Sequence, residues 1–103
     1  MSNRLDTLKS MLDQDPNNAF ARYGLAIEYT NMGENDKAVD EFRKLLDTNP
    51  NYAAAYYHGG RALENLGKVD DAREMYEKGI EVTERIGDNH TRSELQAALD
   101  ILG

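Results

Sequence analysis

The sequence predicts an all-α fold of about six antiparallel helices. Three observations predict it. First, shifting the chain by 34 residues matches it to itself. Pro16 falls on Pro50, Gly33 on Gly67, Ala38 on Ala72, Tyr23 on Tyr57, Phe42 on Tyr76 and Asn31 on Asn65. A period of this length marks repeated supersecondary units that bury their apolar faces on one another. Second, apolar residues recur at helical spacing between the turn residues. Third, no segment alternates as a strand would, and no Asn-Gly or Asp-Gly hairpin signal occurs.

The first helix, about 4–14, carries Leu5, Leu8, Met11 and Leu12 on one stripe. It stops before Asp15-Pro16, because the residue preceding proline avoids the α region. The second, about 18–32, places Leu25, Ala26 and Tyr29 on one face and ends at Gly33. The third, about 36–48, carries Ala38, Phe42, Leu45 and Leu46 and ends at Asn49-Pro50. The fourth, about 52–66, ends at Gly67. The fifth, about 69–86, carries Ala72, Tyr76, Gly79, Ile80 and Thr83, meets no proline, and runs on to Gly87. The sixth begins at Thr91, where Thr91-x-x-Glu94 fits a capping box. Its stripe is Leu95, Ala98, Leu99 and Leu102. The short connections make neighbouring helices antiparallel.

Composition narrows the function classes. At 103 residues the chain supports one small domain with a modest core. With no cysteine it has neither disulfides nor thiolate chemistry. No apolar run reaches a membrane span. The polar start, Met1-Ser2-Asn3-Arg4-Leu5-Asp6, lacks a signal-peptide core, so a cytoplasmic location is expected. A net charge of −7 argues against nucleic acid and anionic membranes as partners. Ser2, Ser10 and Ser93 sit in no nucleophile elbow, and the Gly59-Gly60 pair lies mid-helix, not in a phosphate loop. His58 and His90 have no metal-ligand spacing. The expectation is therefore no enzyme, no cofactor and no metal.

Helix pairs at this period resemble tetratricopeptide repeats. Repeat one, 19–52, offers Leu25-Ala26, Tyr29, Gly33, Ala38, Phe42, Leu45 and Pro50 at the family's signature spacings. Repeat two, 53–86, offers Tyr56, Gly59-Gly60, Leu63, Gly67, Ala72, Tyr76 and Gly79. The segment 4–16 resembles the second helix of a preceding unit, and 91–102 a solvating cap. The resemblance implies a right-handed α-solenoid in one domain, either a small stand-alone bacterial-type protein or an excised piece. Two departures stand out. Arg22 occupies a usually apolar position, where its stem can snorkel, and Glu84 replaces the expected proline.

The resemblance also implies that the first helix of each pair lines a concave groove. Its residues would be Phe20, Tyr23, Ile27, Thr30 and Asn31 in repeat one, and Ala54, Tyr57, His58, Arg61, Glu64 and Asn65 in repeat two. Exposed aromatics in a concavity suit an apolar or amphipathic peptide; packing of the same rings within the stack is the competing reading. Some members bind C-terminal carboxylates through lysines, an arginine and asparagines. Here Arg61, Asn31 and Asn65 are present without the lysines, so such binding is not expected. Arg61 would pair either with a ligand carboxylate or with Glu64. His58 would either tune binding near neutral pH or stand as a solvated surface histidine. The leading function is thus a protein–protein interaction module, monomeric or weakly dimeric, holding a protein or peptide. The alternative is a structural, self-associating repeat protein; a small enzyme or metal protein is more remote.

Overall fold

The computed structural model describes residues 3–103. Met1 and Ser2, which belong to the polar start and the serine inventory, lie outside the described residues. Six helices follow one another: α1 (Asn3–Gln14), α2 (Ala19–Asn31), α3 (Asn35–Thr48), α4 (Ala53–Asn65), α5 (Val69–Ile86) and α6 (Asn89–Leu102). There is no strand among the described residues. Consecutive helices pack as antiparallel hairpins. α4 also touches α2, and α6 also touches α4, so the same placement is repeated along a right-handed solenoid.

The turns are copies of one another. Gly33 and Gly67 hold φ of +78° and +75°, a left-handed backbone that glycine adopts without strain. After each, the chain closes the same bond. Glu34 N–H donates to Tyr29 O at 2.9 Å, and Lys68 N–H donates to Leu63 O at 2.9 Å. These satisfy the last carbonyls of α2 and α4. Gly87 ends α5 in the same conformation, and Asp88 N–H donates to Thr83 O at 2.9 Å.

One sequence expectation is corrected at this point. α6 begins at Asn89, and its cap is Asp88, whose carboxylate accepts from Thr91 N–H at 3.0 Å. Aspartate is the stronger N-cap, and it follows the Gly87 stop directly, so the helix starts two residues before Thr91. The same hydrogen bond holds the Asp88 carboxyl below its ordinary range.

The core runs along the hairpin interfaces. Ala26, Ala38, Phe42, Leu45, Leu63, Ala72, Tyr76 and Leu95 are almost wholly buried. Small residues set how closely the helices approach. A Cβ on Gly60 would overlap the Tyr76 ring, and one on Gly79 would lie 2.6 Å from Tyr56 Cβ. A Cβ on Gly59 would sit at ordinary contact distance, 3.4 Å from Met75 Cε and 3.5 Å from Phe42 Cβ, so this second glycine is not required by space. At the front of the stack, Leu8 of α1 fills the room left by Gly24. Arg22 does more than snorkel. Its guanidinium pairs with Glu41 at 2.5 Å and donates to Pro16 O at 2.9 Å, tying α2 to α3 and to the preceding loop.

Candidate peptide groove

α2, α4 and α6 contribute one side of the stack, and aromatic rings line part of it. Tyr23 lies 5.1 Å from Tyr52 and 6.0 Å from His58, between ring centroids. His58 lies 5.2 Å from Tyr57 edge-to-face, and stacks 6.4 Å from Phe42. The strip therefore runs Tyr52, Tyr23, His58, Tyr57, with Phe42 beneath it. Aromatic pairs at these separations stabilise one another beyond their burial. Two of the four rings follow the 34-residue period: Tyr23 and Tyr57 occupy equivalent positions on α2 and α4, whereas His58 stands where the first repeat has Gly24.

His58 is corrected from the solvated alternative. It is half-buried among the rings, and that burial pushes its imidazole below the ordinary value, with Glu94 opposing and Arg61 assisting. The imidazole is therefore neutral at pH 7. Burial likewise raises Tyr23 and Tyr52. Arg61 is corrected as well. It does not pair with Glu64; it donates to Tyr57 Oη at 3.0 Å and covers the Tyr57 ring at 5.9 Å. The ring one turn back offers hydroxyl and π-face together, which a lone carboxylate does not. Glu64 instead accepts a short hydrogen bond from the Tyr76 hydroxyl. Burial and that bond push the Tyr76 phenol well above its usual value.

The other expected residues divide. Ile27 and Ala54 are half-buried, with Ile27 packed against the core. Thr30 Oγ1 donates back to Ala26 O at 3.0 Å within its own helix. Asn65 donates to Asn35 Oδ1 at 3.3 Å, which fastens α4 to the start of α3. Asn31 is exposed at the end of α2. Phe20 is 68% exposed, and among the described residues no ring contact joins it to the strip.

The sequence reading missed one wall. A cavity of about 350 Å³ opens between α4 and α6, lined by Tyr57, Arg61, Glu64, Glu94, Ala97, Ala98 and Ile101. α6 thus neither covers the groove nor only closes the stack; it supplies a third lining helix. The signal was present but displaced. Because α5 overruns, Glu94, Ala98 and Ile101 stand 37 residues after Tyr57, Arg61 and Glu64, not 34. Among the described residues no three His, Asp or Glu side chains converge as a metal site, and no helix is long and apolar enough to cross a membrane.

A stack of helical hairpins with one lined inner side defines a repeat scaffold of the α-solenoid class. The tetratricopeptide repeat family model matches residues 32–85. A solution structure of a Bordetella parapertussis protein is 30% identical, covers 99% of this chain and 89% of its own, and superposes with a TM-score of 0.86. The crystal structure of a tetratricopeptide repeat domain protein from Salinibacter ruber is 38% identical, covering 82% of this chain and 94% of its own with a TM-score of 0.77. The chain belongs to the tetratricopeptide repeat family. The first such domain of Spaghetti, solved bound to an HSP90 peptide, shares the fold at 23% identity and a TM-score of 0.82, covering 95% of this chain and 73% of its own. No curated protein matches the chain. Members of this family are generally non-catalytic interaction modules, and the fold suggests protein–protein interaction.

Proposed function

We propose that the chain holds a peptide or helix against α2, α4 and α6 and performs no bond chemistry. The observation that carries this reading is the strip Tyr52–Tyr23–His58–Tyr57, half-buried and continuous with the cavity at α6. Rings already locked by their neighbours lose little freedom on binding, so their contact area converts efficiently into affinity. Ile27 and Phe20 would extend the apolar contact on α2, and Ala54 would leave room beside it. Thr30, Asn31 and Asn65 would meet polar groups of the ligand at the far end. The Spaghetti domain, which holds an HSP90 peptide, supports a scaffold of this shape in such a role. The units that fit the reading are repeats 19–52 and 53–86, with 4–16 as a half-repeat before them and the last helix as the third lining element.

The test is selection of binders from a random peptide library on the wild-type chain. Selected peptides should lose about tenfold or more in affinity against a Tyr57→Ala/Ile27→Ser variant. Retained affinity in that variant, and in Phe20→Ala/Ile27→Ser, would place binding elsewhere and defeat the proposal.

A further inference from the structure

We infer that the cavity between α4 and α6 selects a basic partner, taking a lysine or arginine of a bound peptide beside an aliphatic residue. This inference rests on the groove reading above. Three charged side chains line the cavity, and their partners decide what is left for a ligand. Arg61 is already committed to the hydroxyl and ring of Tyr57. Glu64 is held from one side by the Tyr76 hydroxyl on Oε2. Among the described residues no lysine or arginine forms an ion pair with Glu64 or Glu94. The neighbour of Glu94 is His90 Nε2 at 3.8 Å, an exposed imidazole charged only when protonated. His58, the other imidazole nearby, is buried among rings. Two carboxylates therefore face one guanidinium, which keeps its charge but is drawn onto Tyr57, and the lining is net negative.

The remaining wall is apolar. Ala97 and Ala98 are small, and Ile101 stands 84% exposed at the rim. A lysine or arginine satisfies both halves at once. Its stem lies on the alanines and Ile101, and its head reaches Glu94 and the unoccupied oxygen of Glu64. A ligand carboxylate would meet two like charges instead. The chain's net charge of −7 adds long-range attraction for a basic partner.

The experiment uses two fluorescein-labelled amphipathic peptides with identical apolar positions, one bearing lysines and one glutamates. Anisotropy titrations on the whole chain should favour the lysine peptide by about tenfold or more, with the preference shrinking as salt rises. Glu94→Lys should abolish or reverse that preference, and Glu94→Gln should give an intermediate value. Amide shifts should fall on Glu64, Glu94 and Ala98. Equal binding of both peptides, or an unchanged preference in Glu94→Lys, overturns the inference. So does a concentration-dependent mass that Ile101→Ser removes, since the occupant would then be a second copy. Peptides of either charge that shift Tyr23, Ile27 and Tyr57 but not α6 sink this inference alone. Binding by neither peptide, with no binder from the library, sinks both readings.

Discussion

The hairpins α2–α3 and α4–α5 share a backbone but solve its packing with different residues. The first has buried Ala26 and Phe42 at the positions where the second, 34 residues on, sets Gly60 against Tyr76. The first joins α2 to its loop through Arg22, which donates to Pro16 O. The second uses Tyr56, which donates to the equivalent Pro50 O at 2.6 Å. On the lining helices, Gly24, Ile27 and Thr30 become His58, Arg61 and Glu64. The comparison teaches that the repeat preserves a volume and a hydrogen bond, not particular side chains. It also leaves the lining of α2 largely uncharged and that of α4 charged.

The largest break in this comparison is at Gly60. Gly60→Ala, which copies the first hairpin's alanine, forces a methyl into the Tyr76 ring and should cost about 2–3 kcal/mol. Gly59→Ala should instead gain up to about 1 kcal/mol, because the site has room and alanine is the better helix former. Urea unfolding of the two variants measures both; equal losses would show that the ring shifts freely and that volume does not set the spacing.

Next is the loop anchor. Arg22 and Glu41 are both mostly buried, so Arg22→Met should cost about 2 kcal/mol by stranding the Glu41 carboxylate, which Lys44 at 3.6 Å only partly relieves. Arg22→Tyr/Glu41→Met installs the second hairpin's residues, Tyr56 and Met75, and should recover most of that loss. A double variant no more stable than Arg22→Met would mean that the two hairpins are not interchangeable here.

Much of this comparison was legible in the sequence because its cause is local or periodic. Gly33 and Gly67 mark left-handed turns by residue type alone, and the 34-residue shift pairs Phe42 with Tyr76 without any structure. What stayed hidden depends on long-range complementarity. No local pattern says that Gly60 is crowded and Gly59 is not, or that Arg22 meets a glutamate 19 residues away. The residues of α6 were missed because the overrun of α5 slides them three places out of the repeat register. Thr91-x-x-Glu94 looked like the helix start because a capping box is a common pattern, yet Asp88 competes for the same amide and wins.

A smaller effect separates the hydroxyl of Tyr76 from its ring. Tyr76→Phe should cost about 1 kcal/mol, since it removes one hydrogen bond and leaves Glu64 within reach of water. Phe42→Tyr in the first hairpin should not return that energy, because Thr30 stands where Glu64 does and offers a shorter side chain and a neutral hydroxyl in place of a carboxylate. A gain on Phe42→Tyr, seen in thermal unfolding, would show that an acceptor other than the equivalent residue is available.

The smallest expected effect is a pH dependence confined to the second hairpin. His58 occupies the place of Gly24, but it is wedged between Tyr23, Tyr57 and Phe42, and burial lowers its pKa from 6.5. The unfolded chain therefore takes up this proton before the folded one does. Stability from the neutral imidazole is fully present above pH 6.5 and declines as pH falls from there toward the lowered folded value. His58→Phe keeps the ring and removes the proton, so its urea midpoint should lose less than wild type over that interval. Parallel losses in the two proteins would assign the dependence to carboxylates and remove His58 from the comparison. A divergence would instead mean that the groove's aromatic strip is held together partly by keeping this one ring uncharged.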